Sequence, residues 1–299
     1  MASRPPQENL LGSKADLAAL LGASALLALG PMFVRLADVG PVSSAFWRMA
    51  IAFPLLAVMA RFGPRSRGAI TPALIAIIAA SGVLFAADLA SWHVGITQTK
   101  MANATLLGNS ATFIFPLYGF LVARAWPTRR QSVALAMAAT GAALLMGRSA
   151  ELSPEHLVGD LLCLLAGVFY AAYFIAIERA RATLAPLPLL AASTLASALP
   201  LLGFALLLGE AVWPSNWTPL VALSLCSQVV GQGLLVYALG RVSPLLIGLS
   251  LLTQPIIAAL VGWLVFDETL GVLDVTGALL VGLALVLVRD PATEASKAD

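Results

Sequence analysis

The stretch Gly82–Gly119, GVLFAADLASWHVGITQTKMANATLLGNSATFIFPLYG, contains the strongest signal in this sequence. Read with its flanks, it consists of two apolar segments joined by a turn near Thr97–Lys100, each long enough to span a membrane as a helix. It nevertheless carries Asp88, His93 and Asn109. Because polar and ionisable side chains are unfavourable in lipid, they are expected to face a bundle interior or a water-filled cavity. The stretch therefore predicts two helices that line a pathway through a membrane.

The composition extends this prediction to the whole chain. Its 299 residues are 60% hydrophobic and 11% charged, with a mean hydropathy of +0.93, which excludes an ordinary soluble domain. A spanning helix needs about 20 mostly apolar residues. Ten segments qualify, near 15–37, 42–61, 70–96, 101–123, 132–147, 159–178, 187–209, 218–239, 244–266 and 272–289. The sequence therefore predicts an all-α membrane protein with ten transmembrane helices.

Basic residues are distributed unevenly between the loops that join these segments. With the N-terminus placed in the cytoplasm, the inner loops and ends hold thirteen of the 17 Lys and Arg residues, and the outer ones hold three. This asymmetry follows the positive-inside rule, so both termini are predicted to be cytoplasmic and Arg148–Leu157 to face outward. The rule accounts for the basic residues without a nucleic-acid partner. Cys163 and Cys226 both lie in apolar runs, so they predict no disulfide.

Three pairs of segments indicate an internal repeat. They are Asp16–Leu21 with Asp160–Leu165, Gly141–Arg148 with Gly282–Arg289, and Phe115-Pro116 with Gln254-Pro255. Any one match could arise by chance among helices rich in Leu and Ala, but three matches in the same order favour a repeat. The first five predicted helices, 15–147, then correspond to the second five, 159–289. Because five is odd, the second copy crosses the membrane in the opposite sense, which predicts two inverted five-helix repeats.

The second half resembles the EamA-type drug/metabolite transporter superfamily most clearly in the stretch PIIAALVGWLVFDETLGVLDVTGALLVGLALVL, Pro255–Leu287. The pattern is a proline, Glu268 thirteen residues later, and a helix that contains Gly277 and Gly282. The first half departs from it, since Arg129 stands where the family usually has Glu. The resemblance implies a bacterial inner-membrane exporter of amino acids or related metabolites. The nearest branch is the aromatic amino acid exporters.

Asp88 shares one face of the third predicted helix with Ser81, Phe85 and Trp92, since these positions are three or four residues apart. An acid near the middle of a spanning helix can bind a substrate ammonium group or carry a proton. The alternative is a structural carboxylate near the outer mouth that contacts the backbone or Arg48. Asp88 and Trp92 are candidate substrate-binding residues.

Uncharged polar side chains recur at helical spacing on three other predicted helices. They are Thr105, Asn109 and Thr112 on the fourth, Ser224, Gln228 and Gln232 on the eighth, and Ser243, Ser250 and Gln254 on the ninth. Amides and hydroxyls can bind the carboxylate or the amine of a zwitterion. The alternative is that they hydrogen-bond between helices. The candidate ligands among them are Asn109, Thr112, Gln228, Gln232 and Gln254.

Aromatic residues form a patch on the sixth predicted helix, where Tyr170, Tyr173 and Phe174 are contiguous at helical spacing. Such a patch can stack on a flat side chain, or it can serve packing alone. Tyr170 and Tyr173 are candidate substrate-binding residues. Arg48, about two turns inside the second helix, can pair with a carboxylate or snorkel towards the interface as a structural residue.

The two prolines of the repeat are candidate hinges. Proline inside a helix removes one backbone hydrogen bond and loosens the helix there. Pro116 and Pro255 occupy corresponding places in the two copies, so one hinge is predicted for each side of the membrane. The alternative is that both are static kinks that shape a cavity.

These features predict a secondary carrier that exports amino acids, aromatic or otherwise neutral, by alternating access. Its partners would be the substrate and the lipid bilayer, and the oligomeric state is left open. The alternatives are a carrier of drugs or other metabolites, a passive channel and, with least support, a membrane-embedded enzyme. No Walker A, HExxH or Gly-Xaa-Ser-Xaa-Gly motif is present, and there are only 2 His residues, so no catalytic residue, metal or cofactor is expected.

Overall fold

Apolar helices follow one another along the described part of the chain. A computed structural model describes residues 13–64, 68–96, 98–99, 107–146, 154–266 and 271–289. The helices are α1 Lys14–Ala28, α2 Gly30–Leu36, α3 Pro41–Phe62, α4 Pro72–Gly95, α5 Ala111–Ala123, α6 Arg129–Met146, α7 Leu157–Arg181, α8 Pro186–Leu207, α9 Thr218–Leu223, α10 Gln232–Ala238, α11 Pro244–Leu251, α12 Thr253–Phe266 and α13 Val272–Arg289. A π-helix, Ser224–Gly231, connects α9 to α10, and a short 3-10 turn, Pro154–His156, precedes α7.

Six helical segments of the described residues are long and apolar enough to cross a membrane. They are Lys14–Val34, Pro41–Phe62, Pro72–Gly95, Pro154–Arg181, Pro186–Leu207 and Thr218–Ala238. Three shorter apolar helices, Ala111–Ala123, Pro244–Ile257 and Val272–Val288, accompany them. The predicted all-α membrane fold is therefore confirmed, whereas the count of ten crossings stays a prediction.

The helices begin where local sequence satisfies their first N–H groups. Ser13 and Asp16 form a capping box on α1, with the Ser13 N–H donating to Asp16 Oδ2 at 2.8 Å and the Asp16 N–H to Ser13 Oγ at 3.1 Å. Thr71 and Ser243 cap α4 and α11 through one hydrogen bond each, since Thr71 Oγ1 accepts from the Leu74 N–H and Ser243 Oγ from the Leu246 N–H. Proline also occupies an early position in several helices, where its missing N–H has no intrahelical partner to lose.

Helix packing follows the internal repeat. In the repeat, α1 corresponds to α7, and α4 corresponds to the π-helix together with α10. The π-helix and α10 pack on α1, and α4 likewise packs on α7. Three further pairs join corresponding helices directly: α3 with α8, α5 with α11, and α6 with α13. Exchanging the two halves therefore maps this set of contacts onto itself, as expected for two copies of one unit that enclose a shared centre.

The pair α6 and α13 approaches closely because glycine stands at the crossing. A Cβ atom added to Gly141 would lie 2.7 Å from the Gly277 carbonyl oxygen, and one added to Gly277 would lie 2.6 Å from that of Gly141. Both distances are shorter than van der Waals contact with backbone, so neither position has room for a side chain. Gly141 and Gly277 thus permit direct backbone packing between α6 and α13, the last helices of the two halves.

We expect Gly277→Ala to destabilise the protein by about 1–3 kcal/mol, because overpacking a close contact forces the backbone apart. The melting temperature of the detergent-solubilised protein measures this effect. Gly282→Ala is the matched control in the same helix, since its added Cβ would meet no atom within 4 Å. An equal decrease in both variants would show that the crossing is not tightly constrained.

Four irregularities interrupt the helices at the centre of the fold. The chain breaks between α1 and α2 at Leu29, turns at 109–110 before α5, widens into the π-helix, and breaks again at Leu252 between α11 and α12. At two of them a threonine hydroxyl binds the carbonyl three residues earlier: Thr112 Oγ1 donates to Asn109 O, and Thr253 Oγ1 to Ser250 O, each at 2.7 Å. These two threonines are separated by 141 positions, as are Gly141 and Gly282, so the two breaks correspond in the repeat.

Candidate functional site

A cavity of about 170 Å³ borders all four irregularities. Leu27 and Gly30 flank the break at Leu29, and Leu251 and Gln254 flank the break at Leu252. The polar and aromatic part of its wall comprises Arg48, Phe85, Asp88, Trp92, His93, Asn109, Thr112, Tyr170 and Gln254. Side chains from both halves therefore meet at this one site, in the setting where discontinuous helices of membrane carriers bind ligands.

Most of the sequence-predicted candidates lie on the cavity wall. They are Asp88, Trp92, Asn109, Thr112, Tyr170 and Gln254. Tyr173, Gln228 and Gln232 are not part of it, since all three are almost fully buried behind the lining. Contact of these three with a substrate stays a prediction. Thr97, Lys100, Thr105 and Glu268 lie outside the described residues.

The aromatic patch is present and extends onto α4. The Tyr173 ring stacks on Phe85 with centroids 4.6 Å apart and an interplanar angle of 18°, and Tyr170 lies nearly parallel to both rings. Phe174 is tilted against Tyr170, with centroids 4.2 Å apart. Because Tyr173 and Phe174 have 0% exposure, the surface presented to the cavity is made by Phe85 and Tyr170.

Arg48 is the main cavity residue that was not among the predicted ligands. It lies on α3, where its Nε donates to Gln228 Oε1 at 3.0 Å and its guanidinium carbon lies 5.6 Å from the centroid of the Phe85 ring. The one sequence signal for it is an arginine well inside an apolar helix, which fits snorkelling equally well. Its partner Gln228 lies 180 positions away, so the sequence pattern of α3 alone gives no sign of that contact.

Asp88 lies on the same cavity wall and carries the opposite charge. The two groups interact electrostatically, yet no hydrogen bond or ion pair joins Asp88 to any residue in the described ranges. The cavity wall thus contains one carboxylate and one guanidinium that do not form an ion pair with each other. Such an arrangement can bind a molecule with two opposite charges.

His93 contributes a buried imidazole to this wall, with 4% exposure. Its Nδ1 lies 2.5 Å from the carbonyl oxygen of Leu89 and donates to it, which leaves Nε2 as an acceptor in the neutral ring. The ring meets Trp92 edge-on, with centroids 5.1 Å apart. The Trp92 indole in turn packs against Gly108, where an added Cβ would lie 2.9 Å from Nε1.

The two candidate hinge prolines differ in local structure. Pro116 is buried inside α5, and a Cβ added to Gly248 would lie 2.8 Å from its Cγ. Pro255 lies in the first turn of α12, three residues after the break at Leu252, where its missing N–H leaves no interior hydrogen bond broken. Pro255 is therefore close to an interruption of the backbone, whereas Pro116 lies within a continuous helix, and a hinge role stays a prediction for each.

Comparison with known proteins identifies the family. A sequence profile described as the EamA-like transporter family matches the chain twice, over residues 14–147 and 157–289. No curated protein sequence matches the chain. One protein of known crystal structure superimposes with a TM-score of 0.76 at 17% sequence identity, over 91% of this chain and 94% of that chain, and so shows a shared fold.

The two matches together cover nearly all of the described chain and support the internal repeat seen in the sequence and in the packing. EamA-like proteins are membrane transporters of small molecules, which agrees with the apolar helices and the central cavity. The chain described here belongs to the EamA-like transporter family.

Proposed function

We propose that this protein is a secondary carrier that exports a small zwitterion, an amino acid with an aromatic or other neutral side chain. The observation that carries the proposal is the presence of two opposite charges on one cavity wall, Arg48 and Asp88, which form no ion pair with each other or with another described residue. A zwitterionic amino acid neutralises both at once, because its carboxylate faces the guanidinium and its ammonium group faces the carboxylate. A substrate with a single charge would leave one of them unpaired.

The size and lining of the cavity support a small substrate. Its volume of about 170 Å³ is below the roughly 300–1,000 Å³ typical of sites for drug-sized ligands. Phe85, Trp92 and Tyr170 offer aromatic surface for a flat or large apolar side chain. Asn109, Thr112 and Gln254 add uncharged polar groups that can complete the hydrogen bonds of the zwitterion.

Contacts between loops support a chain of ten crossings arranged as two inverted repeats, 15–147 and 159–289. At one end, the Gly40 N–H donates to Ala211 O at 3.0 Å and Thr99 Oγ1 to Asp160 Oδ1 at 2.5 Å. At the other, Arg241 Nη1 lies 3.9 Å from Asp16 Oδ1. Each contact joins segments that ten alternating crossings place on the same side of the membrane. We place both termini in the cytoplasm of a bacterial inner membrane, on the charge asymmetry of the sequence.

Transport in this proposal proceeds by alternating access. The breaks at Leu29 and Leu252 and the turn at 109–110 let helix halves move separately around one fixed site. The symmetric packing of α4 on α7 and of α1 on α10 offers one closing contact between the two halves at each end of the fold. A carrier of this type exchanges substrate across the membrane without requiring a nucleotide.

Counterflow into liposomes tests the proposal. Purified protein is reconstituted into vesicles loaded with one unlabelled amino acid, and uptake of a labelled amino acid is followed. We expect saturable uptake that requires internal substrate for phenylalanine, leucine and related neutral amino acids, with little for glutamate, lysine or glucose. Protein-free vesicles are the control. Non-saturable uptake that ignores internal substrate would favour a passive channel, and exchange of other metabolites alone would exclude amino acids as the substrate.

A further inference from the structure

We propose that Arg48 is the receptor for the carboxylate of the substrate, and that Gln228 is the positioning residue that orients it. This inference rests on the proposed function and assigns roles to two of the three members of one hydrogen-bonded chain of side chains. The chain runs from Arg48 on α3 through Gln228 on the π-helix to Thr194 on α8. Arg48 is part of the cavity wall, and Gln228 and Thr194 are buried behind it.

The Gln228 amide is fixed by two hydrogen bonds in opposite directions. Its Oε1 accepts from Arg48 Nε at 3.0 Å, and its Nε2 donates to Thr194 Oγ1 at 2.9 Å. With 1% exposure, Gln228 is shielded from bulk solvent. Since Thr194 occupies the Nε2 group, the carbonyl end of the amide is directed at Arg48.

The π-helix holds the backbone of α3 as well as the side chain. Ser224 Oγ donates to the carbonyl oxygen of Arg48 at 3.0 Å, so one segment contacts both ends of this residue. Ser227 Oγ reaches the carbonyl oxygen of Leu26 on α1 at 3.5 Å. Hydrogen bonds from i to i+5 widen such a segment and are frequent at functional sites. Here the widened turn directs Ser224, Ser227 and Gln228 inwards together.

In this proposal, the terminal nitrogens of the Arg48 guanidinium are the groups that bind the substrate. Arginine has five N–H donors, and Nε supplies the one used by Gln228. Within the described ranges, the two terminal nitrogens have no hydrogen-bond or ion-pair partner, while Arg48 belongs to the cavity wall. Stacking near Phe85, at 5.6 Å, further restricts the plane of the group. A planar fork with a fixed stem and a free edge matches the two oxygens of a carboxylate.

The test compares ligands that differ in the carboxylate alone. In reconstituted vesicles, phenylalanine, its amide and phenethylamine compete with labelled phenylalanine for counterflow. Arg48→Lys keeps the charge but removes the fork and the Nε donor. We expect the half-inhibitory concentration of phenylalanine to rise about 10-fold, while those of the amide and the amine change less than about 3-fold relative to wild type. Gln228→Leu and Thr194→Val are expected to give the same selectivity change at about 5-fold.

Ser197→Ala is the matched control on α8, since its hydroxyl donates to Ser193 O and not to this chain. Each variant is first checked by size exclusion and melting temperature, and Thr194→Val serves where Gln228→Leu does not fold. Equal losses for all three ligands, or none in Arg48→Lys, would overturn the receptor assignment while leaving the proposed function intact. Wild-type protein that exchanges no amino acid would overturn both.

Discussion

Replacing Asp88 by asparagine is expected to lower amino acid exchange by about 100-fold or more. The carboxylate is half-buried on the cavity wall, and we assign it to the ammonium group of the substrate. Removing one partner of a desolvated charge pair weakens binding by about 2–5 kcal/mol, and each 1.4 kcal/mol is about tenfold in affinity. Counterflow of labelled phenylalanine under conditions that saturate the wild-type protein measures the loss.

A structural role for Asp88 predicts that Asp88→Asn lowers the melting temperature, whereas a role in binding does not. Because this carboxylate has no hydrogen bond or ion pair with any described residue, Asp88→Asn should leave the melting temperature nearly unchanged. Asp274→Asn is the matched control. That carboxylate accepts from the Gly271 N–H at 2.7 Å at the start of α13, away from the cavity, and the amide oxygen of asparagine can accept the same bond, so this variant should not change exchange. Near-normal exchange in Asp88→Asn would remove it from the binding site.

The sequence predicted those features that lipid imposes on every spanning segment. Asp88, Trp92 and Asn109 could be placed at a cavity because polar groups in an apolar helix have few other favourable locations. Repeated motifs such as those at Asp16 and Asp160 indicated the twofold organisation, which the two family matches and the symmetric packing support. The helical class followed from the requirement that every backbone group be hydrogen-bonded within the membrane.

Features that depend on how helices rotate against each other could not be predicted in this way. Tyr170 and Tyr173 are less than one turn apart, yet Tyr170 lines the cavity and Tyr173 stacks behind it on Phe85. The position of Arg48 depends on its hydrogen bond with Gln228, and Gln228 lies on a π-helix. The residue pattern of Ser224–Gly231 does not predict that π-helix. Helical spacing identified which residues share a face of a helix. It did not show which of them line the cavity and which are buried behind the lining, because that depends on contacts with residues far away in the chain.

The two ends of the fold differ in how tightly they are closed. At one end, a Cβ atom added to Gly159 would lie 2.6 Å from the Gln98 carbonyl carbon and 2.8 Å from the Thr99 N, so α7 meets the turn that follows α4 backbone to backbone. At the other end lies Asp16, which corresponds to Asp160 in the repeat. Its Oδ1 is 3.9 Å from Arg241 Nη1, and the arginine side chain is 48% exposed. We infer that the contact of α4 with α7 is a closed gate, and that transport requires it to open.

A disulfide across this contact is expected to stop exchange completely and reversibly. The chain already supplies one partner, because a Cβ atom added at Gly95 would lie 2.6 Å from Cys163 Sγ. Gly95→Cys therefore places two thiols within bonding reach after a shift of a few tenths of an ångström. After oxidation with copper phenanthroline, counterflow should fall to the level of protein-free vesicles, and dithiothreitol should restore it, because the locked helices can no longer separate.

Two controls separate locking from simple crowding. Gly95→Ser introduces a side chain of similar size that forms no bond, and Gly95→Cys combined with Cys163→Ser keeps the new thiol but removes its partner. Both should transport at the same rate before and after oxidation, whatever their basal rate. Cross-linked protein, quantified by the loss of maleimide-reactive thiol, that still exchanges substrate would show that α4 and α7 move as one body. The gate would then lie elsewhere, and the α1–α10 contact near Asp16 and Arg241 would be the remaining place for the chain to open.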